Sequence, residues 1–568
     1  MFEAERVGEQ TGWGRTNRWS VSPWRGRAGL LALLVGAACL QAPAALAVCV
    51  VGSGTGASCT EAALTACLPG GGSFDGAVTF NCGGAATIVF TSTKTISSTT
   101  SIDGGGLVTL SGNDAVKLFV VTMGVTLSLD NLTVAKGRAT GSTVFGGAIE
   151  NLGTLNATNC TFSGNHAIAS GGSLTNWALG GAINNGGTLT ATNCTFAGNS
   201  ATATGGTAST KAFGGAVMVN GGKATITGST FDSNTTNVPS GFSVLSAGGA
   251  IYQTGQSLTV VNSTFLDNTV AGSVARGGGI YTESCLVSVT NCTLRQSSPN
   301  GVGNSLYAGN FSAFTVTNTI VAGSAVNCGS AMNVSIADGG HNIDDGTSCG
   351  FTGTDCSNTS GTSFCATNPQ LDPAGLANNG GPTQTAALCT GAGSPAGCSA
   401  ASPAIDTGNQ TVCAAAPVND LDQRGYARPG GANANCCIGA FEADSGPPAL
   451  PSDTPTHTPT VTPSQSPSST PTASPTVTPN ATHTPTPQPN GDACADPAQC
   501  QSQFCVDGVC CDAACAAPTD RCDLDGQVGT CVSAAAPAPT LDRWGVAIGT
   551  ILLGGVAALA LRRRSSSP

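Results

Sequence analysis

The sequence has few charged and few aromatic side chains. Asp, Glu, Lys and Arg together make up 9% of its 568 residues, and Phe, Trp and Tyr 5%. Lys and Arg number 20 against 31 acidic residues, and this balance excludes a nucleic-acid binder because no cationic surface could neutralise phosphates. Disorder over the whole chain is also excluded, since 40% of the residues are hydrophobic. Gly (79) and Cys (26) are abundant instead, and so many cysteines favour an exported protein over a cytosolic one.

The N-terminal residues have the composition of a secretory signal. Residues 1–27 contain five Arg, an apolar run follows at 30–40, and Ala45-Leu46-Ala47 has the small-residue pattern of a cleavage site. These features predict a signal peptide over residues 1–47 and a mature chain that begins at Val48. We therefore expect export to the cell surface, the outer membrane or the medium.

A second apolar run, at residues 545–561, lies near the C-terminus and precedes three arginines. Its seventeen residues would span about 25 Å as a transmembrane helix, with the arginines held in the cytoplasm. The short proline motif and Trp before this run resemble the IPTL-type C-terminal sorting signals of Gram-negative bacteria, although Ala538 replaces the usual Ile. The resemblance implies that export and sorting machinery recognises residues 537–568 and removes them; a plain membrane anchor is the alternative. The residues assigned to the signal are Pro539, Thr540, Leu541, Trp544, Arg562, Arg563 and Arg564.

Two segments of unusual composition precede this signal. Residues 444–491 are rich in Pro, Thr and Ser, which predicts a disordered, extended stalk of polyproline II type. Residues 492–532 form a small module with eight cysteines and no His, so that four disulfides of unknown pairing are expected in preference to a zinc site. The cysteines of the module are Cys494, Cys500, Cys505, Cys510, Cys511, Cys515, Cys522 and Cys531.

The body of the chain is built from a repeat. Gly-Gly-Ala-Ile or a close variant begins at residues 146, 180, 214 and 248, at intervals of 34 residues, and a fifth copy begins at 277. A second motif, such as TNCTFSGN or TNCTFAGN, recurs within each unit. Thr, Val and Gly dominate without an apolar stripe of helical period. This pattern predicts a stacked β-solenoid, in which residues of equal offset lie about 4.8 Å apart in neighbouring coils.

Two columns of equal offset are interpreted as a structural ladder. Asn and Gly tolerate the left-handed backbone of a turn, and stacked amides hydrogen-bond along a column. The Asn column is Asn159, Asn193, Asn262 and Asn291, with Gly228 in the middle unit. The second column, expected inside the coils, is Phe162, Phe196, Phe231 and Phe265.

Three cysteines, Cys160, Cys194 and Cys292, directly follow the Asn column. We expect small buried thiols there, and a disulfide between adjacent coils is the alternative. The mature chain has 17 cysteines outside the eight-cysteine module. Because this number is odd, at least one cysteine of the body must lack an intrachain partner.

These repeats resemble right-handed parallel β-helix proteins of the pectin-lyase-like superfamily, and most closely the chlamydial polymorphic outer-membrane-protein repeat. Residues 48–84 resemble the N-terminal cap of such solenoids, with a short helix near residues 59–68. The parallel β-helix is expected over 85–365, with repeats at 146–320 and coils continuing to about 440. Motifs such as Asn379-Gly380-Gly381-Pro382 and Asp422-Gln423-Arg424-Gly425 make residues 366–443 resemble the choice-of-anchor Q domain. The resemblance implies an all-β fold and surface export, without a known activity.

Catalytic residues cannot be assigned from the acids of the body. The four acids between residues 146 and 320 are Glu150, Asp232, Asp267 and Glu283, and each has a different offset in the repeat. Asp338, Asp344 and Asp345 lie in a Gly-rich loop that is either a calcium loop or a solvated turn. Asp422 and Arg424 are interpreted as a structural pair. We expect no metal and no cofactor.

The surplus residues of each repeat point to binding. Stretches such as 166–179 and 200–213 exceed a minimal coil and are expected to project as loops from one side, where solenoids bind partners. Trp177, the only Trp of the body, is a candidate for stacking on a sugar ring, with loop packing as the alternative. We therefore expect a non-catalytic, adhesive or structural surface protein whose partner is a glycan or matrix polymer. A polysaccharide lyase or glycosidase is the alternative, and two carboxylates about 5–10 Å apart in an open groove would favour it.

The sorting interpretation predicts how the mature chain ends. If residues 537–568 are processed, protein recovered from its native host ends before the apolar run at 545–561. Intact-mass measurement checks this, and a mass that includes Pro568 would leave only the membrane anchor. As a control, replacing all three arginines at 562–564 with Ala impairs retention under either interpretation, because the positive-inside signal is lost.

Overall fold

The computed structural model describes residues 48–296, 303–351 and 362–446, together with four two-residue strands between residues 505 and 533. Up to residue 344, the described strands run parallel to their neighbours and stack in sheets, one rung for each coil. This stacking confirms that the repeat builds a parallel β-solenoid.

Two sheets run along the solenoid and enclose its apolar core. Sheet A has 19 strands and sheet B has nine. The strands of sheet A are β1 (Cys49–Val51), β2 (Ala77–Phe80), β3 (Ala86–Val89), β5 (Thr100–Ser111), β7 (Thr126–Ala135), β11 (Thr154–Thr158), β12 (Thr161–Ser163), β16 (Thr188–Thr192), β17 (Thr195–Ala197), β21 (Lys223–Thr227), β22 (Thr230–Asp232), β26 (Ser257–Val261), β27 (Thr264–Leu266), β31 (Leu286–Thr290), β32 (Thr293–Arg295), β34 (Ala313–Thr317), β35 (Ile320–Ala322), β37 (Ile336–Asp338) and β38 (Ile343–Asp344). Those of sheet B are β4 (Lys94–Ile96), β6 (Phe119–Val121), β10 (Ile149–Asn151), β15 (Ile183–Asn185), β20 (Val217–Asn220), β25 (Ile251–Thr254), β30 (Ile280–Glu283), β33 (Leu306–Ala308) and β36 (Cys328–Ser330).

Five coils carry two additional strands, which form two five-stranded parallel sheets, C and D. We call this pair of sheets the lateral extension. In a repeat coil the chain passes from sheet A to sheet C, turns, and returns through sheet D to sheet B. Sheet C contains β8 (Arg138–Gly141), β13 (His166–Ala169), β18 (Ser200–Thr204), β23 (Thr235–Ser240) and β28 (Thr269–Gly272). Sheet D contains β9 (Thr143–Phe145), β14 (Thr175–Leu179), β19 (Ser209–Phe213), β24 (Val244–Ala247) and β29 (Ala275–Arg276).

The prediction that the surplus residues form loops was therefore wrong. The surplus residues do leave the core, but as paired strands. Sheets C and D pack on each other mainly through alanines, such as Ala167 and Ala169 of sheet C and Ala178 of sheet D, all fully buried. Small side chains on alternate positions let two sheets approach closely, and each strand finds its backbone partners in the next coil.

The interior of the coils holds a stack of phenylalanines. Phe162, Phe196, Phe231 and Phe265 are fully buried, and consecutive ring centroids lie 4.8, 4.6 and 4.6 Å apart with nearly parallel planes. Strand register pairs Phe196 directly with Phe162 and Phe231. Each ring therefore packs on its own copy one rung away, within contact distance for a stacked pair.

A second buried column consists of amides, and it escaped the sequence reasoning. Asn165, Asn199, Asn234 and Asn268 are fully buried, and the Nδ2 groups of the first three donate to the Oδ1 of the next coil, over 2.8, 2.9 and 2.8 Å. The backbone N–H of Asn165 also donates to the Asn199 side chain over 3.0 Å. These amides satisfy the polar backbone at the corner where sheet A ends. The signal was the last residue of each TF-containing motif, whose offset is as constant as that of the first Asn.

Disulfides close the N-terminal end. The short helix α1 (Glu61–Ala66) begins after Thr60, whose hydroxyl accepts from the N–H of Ala63, and it lies within the predicted 59–68. Bonds Cys49–Cys67 and Cys59–Cys82 join the residues around it to β1 and to the segment after β2. Further disulfides link described cysteines as Cys328–Cys349, Cys389–Cys398 and Cys413–Cys436. Cys160, Cys194, Cys285, Cys292 and Cys437 remain buried free thiols, so adjacent-coil disulfides do not form.

The solenoid does not continue to residue 440, as we had expected. The last parallel strand is β38, and residues 362–446 then form the antiparallel pair β39 (Leu371–Ala377) and β40 (Thr385–Leu388), the helix α2 (Gln410–Ala414) and turns. We call residues 362–446 the return segment, because it runs back along the outer face of sheet A. Thr230 Oγ1 donates to the carbonyl of Gln384 over 2.6 Å, and Thr264 Oγ1 donates to Oε1 of Gln423 over 2.6 Å.

Buried ion pairs hold the return segment together. Arg424 lies 2.7 Å from the Asp422 carboxylate, and Arg428 lies 2.9 Å from that of Glu442, with all four side chains at most 5% exposed. The Arg424 guanidinium also stacks on Phe441, 3.8 Å from the ring centroid. Asp422 and Arg424 thus form the expected pair, and Gln423 between them points to the solenoid.

The remaining described strands belong to the eight-cysteine module. β41 (Cys505–Val506) pairs with β42 (Val509–Cys510), and β43 (Asp520–Arg521) pairs with β44 (Val532–Ser533), both antiparallel. No helix within the described ranges has the length and apolar character needed to cross a membrane. The predicted signal peptide, the predicted transmembrane helix and the stalk beyond residue 446 lie outside the described residues.

The phenylalanine stack predicts a large loss of stability on truncation. Phe196→Ala removes a fully buried ring between two others, and the cavity costs about 3–5 kcal/mol of the free energy of unfolding. Thr225→Ala on the exposed face of sheet A is the control and changes it by less than about 0.5 kcal/mol. Denaturant unfolding measures both, and a loss below about 1 kcal/mol for Phe196→Ala would contradict the packing described.

The amide column predicts a comparable effect from a polar residue. Asn199→Ala removes the amide that donates to the Phe162 carbonyl and accepts from Asn165, and stranded buried groups cost about 2–4 kcal/mol. Asn156→Ala, on the outer face of sheet A, is the matched control with a change near zero. Equal unfolding midpoints for the two variants would show that the column adds no stability.

Candidate binding surface

The Asn column marks the bend between the two strands of each sheet A rung. Asn159, Asn193, Asn262 and Asn291 have φ between 45° and 54°, the left-handed region. Asn193 Nδ2 donates to Asn159 Oδ1 over 3.3 Å. Gly228 (φ 62°) interrupts this chain of amides, and beyond it Asn262 donates to the carbonyl of Leu421 in the return segment over 2.9 Å. The column thus changes from stacking on itself to binding the return segment.

The acids of the repeats are engaged in local contacts. Glu150 forms an ion pair with Lys117 at 2.6 Å, and Glu283 accepts from the hydroxyl of Tyr281 over 2.8 Å. Burial, with a contribution from the Asp267 carboxylate, raises the pKa of Asp232. Burial and the neighbouring Asp103 likewise raise the pKa of Asp130, although a hydrogen bond from Thr158 opposes this.

The pair Asp103 and Asp130 deserves comparison with the arrangement that a glycosidase needs. The two residues are register partners on adjacent rungs of sheet A. Asp103 borders a hollow of about 220 Å³, which Asp130 does not line, and it accepts from the N–H of Gly105 and the amide of Asn131. The two carboxylates therefore do not line the same hollow, and the Asp103 carboxylate is bound by the turn that follows it.

Two other groups of acids have structural partners. Asp344 is fully buried and accepts from Asn327 Nδ2 and from the N–H groups of Gly346 and Cys349, so it is not part of a solvated turn. Asp406, Cys437 and Glu442 bring three potential metal ligands within 4.8 Å. However, Glu442 already accepts from Arg428, and burial raises the pKa of the Cys437 thiol to about 12, which keeps it protonated. This group fits an internal cluster better than a metal site.

The lateral extension meets sheet B in a corner, which we call the B–D corner. It is lined by the face of sheet D turned away from sheet C and by the outward face of sheet B. Tyr252, Tyr281 and Tyr307 point outward from sheet B, yet they are only 7%, 3% and 5% exposed, because sheet D rises beside them. The side chains that form the corner are Phe145, Trp177, Leu179, Phe213, Met218, Leu245, Ala247, Tyr252, Tyr281 and Tyr307.

An aromatic row runs along the corner parallel to the solenoid axis. Ring centroids of Phe213 and Tyr252 lie 4.2 Å apart, those of Tyr252 and Tyr281 4.8 Å, and those of Tyr281 and Tyr307 5.1 Å. Burial raises the pKa of Tyr252 and of Tyr281 far above its usual range, so both hydroxyls stay neutral. Sequence analysis missed this row, although its signal was present: the tyrosines occupy one offset, directly after the Ile or Leu of successive repeats.

Trp177 lies at the open side of the corner. It is half-buried on β14, its Nε1–H donates to Ser209 Oγ over 3.1 Å, and the ammonium of Lys211 lies 5.2 Å from its ring centroid. Its register partner on the other side is the exposed Thr143. Trp177 is therefore fixed in a strand and is not part of a loop. On the side away from Lys211 its ring has only the short side chain of Thr143 as a neighbour.

Several predicted residues lie outside this surface. The side chains of the eight cysteines of the module and the sorting residues Pro539, Thr540, Leu541, Trp544, Arg562, Arg563 and Arg564 fall outside the described residues. Phe162, Phe196, Phe231 and Phe265 are interior and cannot contact a partner. In comparisons with known proteins, no family model, no curated protein and no solved structure matches this chain.

Proposed function

We propose that this protein is an exported, surface-displayed, non-catalytic β-solenoid that binds a surface glycan or matrix polymer. The observation that carries this proposal is the B–D corner, where a row of stacked aromatic rings runs along the solenoid. The half-buried rings of Phe145 and Trp177, which pack against the buried tyrosines, offer a preformed surface at low entropic cost.

Export is supported by the covalent chemistry of the chain. Disulfides close both the N-terminal end and the return segment, and such bonds persist in oxidising compartments. The signal peptide predicted at 1–47 and the sorting signal predicted at 537–568 agree with this location. We further propose that the solenoid is a right-handed β-helix of pectin-lyase-like type and that residues 366–443 serve as a choice-of-anchor Q domain.

A non-catalytic role is favoured by how the carboxylates are used. Glu150 and Glu283, the acids at the B–D corner, are bound to Lys117 and to Tyr281. A glycosidase needs one carboxylic acid and one carboxylate free to exchange protons on either side of the scissile bond. The lyase or glycosidase alternative therefore lacks a matching arrangement in this corner.

A glycan and extracellular-matrix array with the purified protein tests the proposal. We expect binding to polysaccharide spots without release of reducing ends or unsaturated products. Trp177→Ala should weaken that binding at least about tenfold, because it removes a large half-buried ring of the corner. Phe242→Ala, an aromatic residue that is 66% exposed at the tip of the lateral extension, is the control and should bind as the unaltered protein does.

Two results would contradict the proposal. Absence of binding to every glycan and matrix polymer would remove the adhesive function. Accumulation of cleaved polysaccharide would establish the enzymatic alternative.

A further inference from the structure

We propose that the last coil of the solenoid binds a hard divalent cation, Ca²⁺, through the carboxylates of Asp344 and Asp345 and the side-chain carbonyl of Asn327. These side chains lie where sheet A and its apolar core end. The site is outside the B–D corner and has no part in the proposed binding of a glycan. Its role is to close the C-terminal end of the coils.

A buried aspartate occupies a position of the interior column. Strand register continues the phenylalanine column from Phe265 through Leu294 and Val321 to Asp344. Asp344 is fully buried, as the apolar residues before it are. A carboxylate at such a position is costly unless its charge is balanced. Within the described ranges, no Lys, Arg or His lies within ion-pair distance of it.

A second carboxylate lies beside the first. Asn327 Nδ2 donates to Asp344 Oδ1 over 2.7 Å and to Asp345 Oδ1 over 2.6 Å, so that one amide bridges the two acids. Backbone N–H groups donate the other hydrogen bonds to the two carboxylates. All of these donors are neutral. Two negative charges therefore lie close together with no described cation within ion-pair distance.

The bridging amide uses only one of its two polar atoms. Asn327 is fully buried, and its Nδ2 has a third acceptor, the carbonyl of Val321 at 3.4 Å. Its Oδ1 has no hydrogen-bond partner in the described part of the chain, although buried carbonyl groups normally have one. Half a turn of the amide would bring Oδ1 to the place of Nδ2, beside both carboxylates. Three side-chain oxygens would then face one point, as the ligands of a cation do.

The donor set favours calcium over other common metals. Its side-chain donors are oxygens, which Ca²⁺ and Mg²⁺ prefer, whereas Zn²⁺ and Cu⁺ prefer imidazole or thiolate. The neighbouring Cys328 and Cys349 cannot supply a thiolate because they are joined in a disulfide. Ca²⁺ takes about six to eight oxygens in variable geometry, whereas Mg²⁺ requires a near-regular octahedron. Irregularly placed donors from two stretches of chain suit the more tolerant ion.

The site is open to solvent on one side. Asp345 is half-buried and lines a hollow of about 330 Å³, from which water can complete the coordination shell. Arg295 lines the same hollow, but it donates to the carbonyl of Asp372 over 3.4 Å and is not within ion-pair distance of either carboxylate. The Cys328–Cys349 disulfide joins the stretches that carry Asn327 and the two acids. The donors are therefore held together before an ion binds.

Calorimetric titration of the EDTA-treated full chain with CaCl₂ tests the site. We expect saturable binding of Ca²⁺, binding of Mg²⁺ that is at least about tenfold weaker, and an unfolding midpoint that rises with Ca²⁺ concentration. Asp345→Asn keeps the size of the side chain and one acceptor but removes a charge, and it should lower the affinity for Ca²⁺ by about tenfold or more. Asp114→Asn, at a side chain that is 47% exposed, is the charge-matched control and should leave that affinity unchanged.

Three results would overturn the site. The first is a chain that gives no binding heat with CaCl₂ and unfolds at the same temperature in Ca²⁺ and in EDTA. The second is unchanged affinity in both Asp345→Asn and Asp344→Asn, because the ion would then bind elsewhere in the chain. The third is an equal loss in Asp114→Asn, which would indicate general attraction to a chain of net charge −11. Circular dichroism in EDTA verifies that each variant is folded, and Asp345→Asn alone decides the second result if Asp344→Asn does not fold.

Discussion

Every coil of this protein must tolerate a copy of itself one rung away. The buried amide column meets this constraint most strictly, because the side chains of Asn199 and Asn234 each donate to the next coil and accept from the previous one. Few residue types can replace Asn here, because the side chain must donate one hydrogen bond, accept another and also bind the backbone. The phenylalanine stack obeys the same rule by shape, since planar rings fill the interior without gaps when they repeat at the strand spacing. These two columns fix the register on which all outward faces depend.

Outward-facing positions are free of this constraint, and they carry the variation. On sheet B the column that faces the corner changes from Glu150 through Asn184 and Met218 to Tyr252 and Tyr281, while the neighbouring inward column remains Ile or Val over the same coils. The lateral extension adds outward faces with only a small second apolar cluster, since small side chains, mostly alanines, hold its sheets together. The chain thus separates the residues that maintain the fold from those that can specify a ligand, as repeat proteins commonly do.

Much of the solenoid could be predicted from sequence because its contacts repeat at a constant interval. The parallel stacking, the helix at 61–66 and the buried thiols follow from local patterns of that kind. The extension was seen only as surplus length, because an Ala and Thr alternation fits a strand and an exposed loop almost equally well. The return segment was beyond reach, since the contacts of Gln423 with Thr230 and Thr264 span more than 150 residues and occur once. The B–D corner could not be predicted either, because more than half of its side chains come from sheet D, which the sequence did not indicate.

The return segment also determines where the solenoid can change its length. Between Asn131 and Asn193 the coils bind only their neighbours in the amide column, so one more coil would leave every existing contact in register. From Gly228 to Asn318 the outer face is matched rung by rung to a second stretch of chain. A coil gained or lost there would move Thr264 away from Gln423 and strand several buried polar groups at once. Duplication of a coil is therefore compatible with the N-terminal half of the solenoid, whereas the number of coils in the C-terminal half is fixed by its contacts with the return segment.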